Sequence, residues 1–158
     1  MSIVVKAQWN EQDRILKTVV EGNLDLNQLM EWEFLVHETS FKIPEWCAFH
    51  FIADISKLEF ANSDARDYFD DIIPVFLWSF EFLPSDITND QSKRLVTSKP
   101  NRTQEVKTYS LVSSDEEKVF HLQHLHGNVS NGYFHSIKDA EKWTKNHGKR
   151  SPYRKAST

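Results

Sequence analysis

Three histidines in the segment HLQHLH are the group of side chains most able to bind a metal ion. On a helix, His121 and His124 would share one face because residues three apart are neighbours, whereas His126 would point elsewhere. Zinc usually takes four ligands, and no Cys or Glu stands at a matching spacing; His135 is the nearest residue that could supply a third. We therefore expect His121 and His124 to lie on the outer face of a helix and to bind no metal.

Patterns for catalysis and for cofactor binding are not found elsewhere in the sequence. There is no Gly-x-Ser-x-Gly pattern, and the single cysteine, Cys47, begins the apolar run CAFHFIADI, which is typical of a buried strand. His50 in the same run is interpreted as a hydrogen-bonded core residue. Asp54 could pair with Asp64 and Asp67, but the last two stand at a helix start, where the macrodipole already favours negative charge. These observations predict a protein that is not an enzyme and has no cofactor.

The stretch DISKLEFANSDARDYF indicates a third kind of site, at a junction between a strand and a helix. Asp54 is predicted to end the strand, and the helix is predicted to begin at Asn62 or Ser63 after a short polar turn. Unpaired N–H groups at a helix N-terminus bind phosphate and other anions, so Asp54, Asn62 and Ser63 are candidate site residues. Asn and Ser are also preferred helix caps. We expect Ser63, or Asn62 beside it, to cap the helix, and Ser63 to carry no phosphate.

Composition and charge indicate one soluble globular domain. The 158 residues are 39% apolar and 27% charged, and the net charge of −4 gives no reason to expect nucleic acid as a partner. No signal peptide is visible and the longest apolar run, IIPVFLWSF, is too short to span a bilayer, so we expect a cytoplasmic protein without a membrane span. Eight acidic residues and one basic residue lie between Glu59 and Asp90. The C-terminal segment is basic, which predicts a domain of residues 1–147 followed by a solvated tail of residues 148–158.

Hydrophobic patterning predicts strands and helices in alternation after an N-terminal hairpin. The strands are predicted at residues 3–9, 14–20, 47–55, 106–112 and 132–136, with the segment EGNLD ending the second of them. The helices are predicted at residues 26–39, from 62 onward with a kink or restart at Pro74, from 115 to 126, and at 137–147. Asp25, Ser114 and Ser136 are the predicted caps, and residues 84–105 form a long loop with room for a short helical turn. This order predicts an α/β fold, a single-layer mixed sheet of about five strands with helices packed on it.

The helix that begins near residue 62 has apolar residues on two faces. The first face consists of Ala65, Phe69, Ile72 and Phe76, and the second of Tyr68, Val75, Trp78 and Phe82. Because a sheet covers only one face of a helix, the second face predicts a further contact. We expect a homodimer, or a complex with a regulatory protein, formed through this second face. The alternative is a small apolar ligand held between this helix and the sheet.

The chain resembles the SpoIIAA-like branch of the STAS-like domains over about residues 13–147. The segments RILKTVVEGNLDLNQLMEW and YFHSIKDAEKW carry the resemblance. In that branch a first strand ends in Glu-Gly before a helix, and a short Phe-containing strand leads into a closing helix of the Ala-x-x-Trp type. The residues at these places are Gly22, Phe134, Ala140 and Trp143. The resemblance implies the same fold and a non-enzymatic regulatory role through protein binding.

The middle segment is similar to the anti-sigma-factor antagonists of the wider superfamily. Their motif is Asp-x-Ser-x-x-x-Phe-x-Asp-Ser-Ser-Gly, in which the partner kinase phosphorylates the first Ser of Asp-Ser-Ser-Gly. The matching residues are Asp54, Ser56, Phe60 and, at the acceptor position, Ser63. Asn62 replaces the second Asp, Asp64 replaces the second Ser of Asp-Ser-Ser-Gly, and Ala65 replaces the Gly. A phosphate beside Asp64 would meet like-charge repulsion, which favours a capping role for Ser63.

Overall fold

The computed structural model describes residues 2–156, with side chains described for residues 2–147. Within this range five strands form one sheet in the order β1-β2-β3-β4-β5: β1 Val4–Asn10, β2 Ile15–Leu24, β3 Ala48–Phe60, β4 Glu105–Val112 and β5 Asn131–Phe134. β1 pairs antiparallel with β2, and the other three pairs are parallel. The predicted α/β fold with a single mixed sheet is confirmed.

The helices over the same range are α1 Leu26–Ser40, α2 Ser63–Trp78, α3 Asn89–Leu95, α4 Glu116–His126 and α5 Ile137–Ala156. α3 lies in the segment that is predicted as a long loop. Thr88 caps it and exchanges bonds with Gln91, a Thr-x-x-Gln capping box that is present in the sequence. Where the sequence predicts a loop with room for a short helical turn, the structure has a helix of seven residues.

The sheet separates two apolar cores. Side chains alternate between the faces of a strand, so Phe49 and Phe51 of β3 point to the side covered by α1, α2 and α4, whereas Ile52 points to the side covered by α5. Because β3 is the middle strand and is covered on both faces, its sequence is almost continuously apolar. The burial predicted for this strand is confirmed, and it extends to both faces.

Two strands are longer than the sequence predicts. β2 continues to Leu24 through Gly22, which has φ of +110°, a conformation that glycine adopts readily. β3 continues past Asp54 to Phe60, and the two extensions pair with each other as far as Leu24 opposite Phe60. The predicted strand ends are wrong because this pairing satisfies the backbone groups of segments whose side chains are mostly polar.

Pro74 lies inside α2 and starts no second segment. Proline has no N–H to donate to the carbonyl four residues earlier, which here belongs to Asp70. The side chain of Gln91 donates to that carbonyl instead, with Nε2 3.0 Å from Asp70 O. A residue of α3 thus completes the hydrogen bonding of α2 and holds the two helices together.

The N-terminal caps of α1 and α5 are those predicted from the sequence, whereas the cap of α4 is a different residue. Asp25 caps α1 in a capping box, and Ser136 Oγ accepts a bond from the N–H of Asp139 at 3.1 Å. α4 is capped by Asp115, which lies one residue after the predicted cap, Ser114. Its carboxylate points to the N–H groups of the first turn, a place that the helix macrodipole favours for negative charge.

The C-terminal end of one helix also differs from the end that the sequence predicts. Gly127 follows the last residue of α4, as predicted. α5 does not end before Gly148 but continues to Ala156, so the predicted start of the basic tail falls within a helix. The last two residues of that tail, 157–158, lie outside the described residues.

Candidate functional site

The residues of the predicted strand–helix junction lie in two separate places. Asp54 is six residues before the end of β3, and its carboxylate accepts bonds from the N–H and the hydroxyl of Ser56 at 3.0 and 2.7 Å. At about 3.3 Å per residue, Asp54 is about 20 Å from that strand end. Asn62 and Ser63 lie beyond the strand end, so the three residues do not form one site. Asp54 is likewise too far from the start of α2 to form a carboxylate cluster there.

Asn62, rather than Ser63, caps α2. Asn62 Oδ1 accepts a bond from Ala65 N at 2.9 Å, whereas Ser63 is the first helical residue and is exposed. Replacing Asn62 by Ala should lower the free energy of unfolding by about 1 kcal/mol, because an N–H group of the first turn loses its partner. Ser63→Ala is the matched control and should change it by less than about 0.5 kcal/mol. Equal losses for the two variants in urea denaturation would contradict this assignment of the cap.

α1 and α2 lie side by side on the sheet and contact each other through polar and aromatic side chains. The hydroxyl of Tyr68 donates to Glu33 Oε1, and this hydrogen bond, together with burial, raises the pKa of Tyr68 to about 12. The ring of His37 meets the ring of Phe76 edge to face, with centroids 5.3 Å apart. These contacts fix the side of α1 that is turned toward α2.

Exposed apolar side chains flank this contact. Phe34 directly follows Glu33, and its side chain is 66% exposed. Met30, one turn earlier, is 43% exposed, and Val75 of α2 is 42% exposed. We refer to Met30, Phe34, Tyr68, Val75 and Trp78 as the α1–α2 face.

The four residues of the predicted second face differ in how far the chain itself covers them. Val75 is exposed, whereas Tyr68 and Trp78 are half-buried. The indole N–H of Trp78 donates to the carbonyl of Ser98 at 2.8 Å. Phe82 lies beyond the end of α2 and packs against the larger core, so its prediction as a residue of this helix is wrong.

The histidines of α4 lie where the sequence predicts. His121 and His124 are exposed. Leu125 is 57% exposed, and the core contacts of α4 come from Val119 and Leu122. Within the described part of the chain no three His, Cys, Asp or Glu side chains are arranged so that they could hold a metal ion. That these histidines bind no metal stays a prediction.

His50 is a hydrogen-bonded core residue, as predicted. It is 8% exposed, and its Nδ1 lies 2.8 Å from Thr108 Oγ1. Burial lowers the pKa of His50 to about 4, and the charges of His147 and Lys107 act in the same direction. Cys47, expected in the same strand, is half-buried and lies just before it.

A cleft of about 690 Å³ lies between the sheet and helices α2, α3 and α4. Its floor is apolar and includes Ile55, Ile73, Leu111 and Leu122. Its rim carries five aspartates, namely Asp67, Asp70, Asp71, Asp86 and Asp90. The basic side chains among the described residues that line it are Arg94 and Lys118. The lining therefore has a formal excess of three negative charges, which differs from the apolar pocket considered from the sequence.

The rim carboxylates are in different electrostatic environments. Asp71 accepts bonds from both terminal nitrogens of Arg94, at 2.9 and 3.3 Å, and these bonds lower the pKa of Asp71. Burial raises the pKa of Asp70, and the nearby charges of Asp67 and Asp71 act in the same direction. Asp86 forms no ion pair with any described residue, and its carboxylate interacts with the hydroxyl of Tyr133.

The acidic segment between Glu59 and Asp90 is the sequence signal that points to this cleft. Five of its eight acidic residues line the rim. The sequence predicts neither the apolar floor beneath them nor the tyrosine at the base, Tyr109, because most of these residues come from β3, β4 and α4, which are distant along the chain.

Within residues 2–156, no helix combines the length and the apolar composition that crossing a bilayer requires.

Comparison with known proteins finds similarity to solved structures. No protein-family model matches the chain, and no curated protein matches it. An uncharacterized protein of the DUF3478 family with a SpoIIAA-like fold, from Shewanella loihica PV-4, is 14% identical with a TM-score of 0.49, over 90% of this chain and 94% of that one. An anti-sigma factor antagonist from Mycobacterium paratuberculosis is 12% identical with a TM-score of 0.43, over 91% and 95% of the two chains. The first of these proteins has the SpoIIAA-like fold that the sequence resembles.

Proposed function

We propose that this protein is a non-enzymatic regulatory module that acts by binding protein, and that its α1–α2 face binds a second copy of the chain. The observation that supports this most directly is Phe34, a large aromatic side chain that is 66% exposed on a helix whose other side is fully packed. Burying such a side chain from water contributes about 2 kcal/mol. A two-fold contact would bury it once in each copy.

The geometry of two adjacent helices suits a second copy. α1 has 15 residues and α2 has 16, so each is about 22 to 24 Å long, at about 1.5 Å per residue. Two copies related by a two-fold axis would pack four helices together, with Phe34 and Val75 near the centre. Half-buried Tyr68 and Trp78 would complete the apolar contact and would keep the hydrogen bonds that they make within the chain.

The charges around the face affect the strength of this contact. Glu31 and Glu38 of α1 and Asp64 of α2 are exposed, so two copies would bring carboxylates toward each other. Salt screens such repulsion over about 10 Å at 0.1 M. Self-association should therefore become stronger as ionic strength rises, whereas binding to a basic protein partner would become weaker.

The expected result is a dimer that Phe34→Ala weakens by about 4 kcal/mol, about 2 kcal/mol for each copy, which is about 1,000-fold in the dissociation constant. Sedimentation equilibrium between micromolar and high micromolar concentrations, at low and at moderate salt, measures it. Phe120→Ala is a matched control, because Phe120 is 64% exposed but lies on α4. A monomer throughout this range, or equal losses for the two variants, would contradict the proposal.

A second candidate function is the binding of a small molecule in the cleft beneath α2. The cleft supports it by its size, since small-molecule sites commonly have volumes of about 300 to 1,000 Å³. This function does not depend on self-association, because the cleft is lined by one chain.

A further inference from the structure

We infer that the cleft binds an organic ammonium ion with an apolar or aromatic body. This inference gives the chemical class of ligand for the second candidate function, on which it rests, and it is independent of the dimer. It follows from three properties of the cleft: a tyrosine hydroxyl that opens into its base without a hydrogen-bond partner among the described residues, an acidic rim, and an apolar floor with aromatic side chains.

The unpartnered polar group is the hydroxyl of Tyr109. The residue is only 3% exposed and lines the cleft, and its ring is held between Phe51 and Tyr133. Its hydroxyl makes no hydrogen bond to any described residue, and it is not fully enclosed, so it opens into the cleft. The neighbouring hydroxyl of Tyr133 has two potential partners, Ser85 Oγ at 3.4 Å and the carboxylate of Asp86. A ligand with a polar group at the base of the cleft would supply the partner that Tyr109 lacks.

The charge of the rim selects a cation. Asp67, Asp86 and Asp90 form no ion pair with any described residue, whereas Asp71 is neutralised by Arg94. Hydrogen bonds between an ammonium group and a carboxylate are about twice as strong as those between neutral groups. Asp86 is the most suitable anchor, because it is a rim carboxylate whose charge also acts on Tyr109 and Tyr133 at the base of the cleft.

The dispersal of the carboxylates favours an organic cation over a metal ion. A metal ion needs several ligands that converge on one point, and the described residues contain no such group of three. An ammonium ion needs only one or two carboxylates, and its apolar body would cover the floor formed by Ile55, Leu111 and Leu122. Phe69 also lines the cleft, and aromatic faces attract organic cations.

Three probes of the same shape and different charge test the inference: 2-phenylethylammonium, 2-phenylethanol and 3-phenylpropionate. Each is titrated into the unmodified protein at low salt, and binding is followed by calorimetry and by amide chemical shifts. The ammonium probe should bind at least about tenfold more tightly than either of the others, since a tenfold ratio requires only one good charged contact. Equal binding of the alcohol would overturn the inference but would leave a ligand-binding cleft. Failure of all three probes to bind would overturn both the inference and the second candidate function.

Matched variants locate the binding site. Asp86→Asn should weaken the ammonium probe by about fivefold or more, because an isosteric amide loses the charged hydrogen bond. Asp64→Asn, on α2 but outside the cleft, should leave its affinity unchanged. Tyr109→Phe should weaken the probe without lowering the stability of the free protein, because the hydroxyl that it removes has no partner there. Loss of affinity in Asp64→Asn equal to that in Asp86→Asn would mean only a general effect of net charge and would overturn the assignment.

Discussion

Replacing Trp32 by Ala should lower the free energy of unfolding by about 4 kcal/mol, the cost typical of removing a large aromatic side chain from a core. Trp32 is fully buried, and its ring stacks on Phe69 of α2 with centroids 5.8 Å apart. Its indole N–H donates to Thr18 Oγ1 at 2.7 Å, and that hydroxyl donates to the carbonyl of Lys6 at 2.7 Å. One side chain therefore connects α1 and α2 to the antiparallel pair β1–β2.

Urea denaturation followed by circular dichroism measures this loss, and Trp46→Ala is the matched control. Trp46 is 79% exposed, so its removal leaves no cavity and should change the free energy of unfolding by less than about 0.5 kcal/mol. Trp32→Phe should cost less than Trp32→Ala, because it keeps most of the apolar volume and loses mainly the bond to Thr18. If Trp32→Ala cost no more than Trp46→Ala, the core described around α1 would be wrong.

The folded protein should lose up to about 3 kcal/mol of stability as the pH falls from about 6.5 to about 4, because of His50. Burial lowers the pKa of His50 to about 4 in the folded state, against an ordinary value of 6.5. Between these values the unfolded chain binds a proton that the folded chain does not, so acid favours unfolding. Above pH 6.5 the residue is neutral in both states, and its contribution to the pH dependence disappears.

His50→Asn tests this expectation by comparing urea denaturation at several values of pH. Asparagine has no titrating group and retains an amide that can bond to Thr108, so the variant should show a flatter dependence of stability on pH between about 4 and 6.5. His124→Asn is the control, because His124 is exposed and its replacement should leave the slope unchanged. The same slope in the unmodified protein and in His50→Asn would show that His50 is not the group responsible.

Much of the fold follows from signals that lie close together in the sequence. Asp25 and Gln28 form the predicted capping box because each side chain bonds to the backbone only three residues away. The apolar run at β3 predicts a strand covered on both faces, and the α/β class follows from the alternation of patterns along the chain. These features need no knowledge of distant residues, which is why they could be predicted.

Other features depend on residues that are far apart along the chain. The polar extensions of β2 and β3 are strands because they pair with each other, and in α2 the carbonyl that Pro74 leaves without a partner accepts a bond from Gln91 of α3. A pattern of apolar and acidic residues indicates what must be covered or solvated, but not which neighbour covers it. The exposure of Phe34 and the position of the acidic rim above Tyr109 follow from how the helices pack on the sheet, since contacts across the sheet fix their relative places.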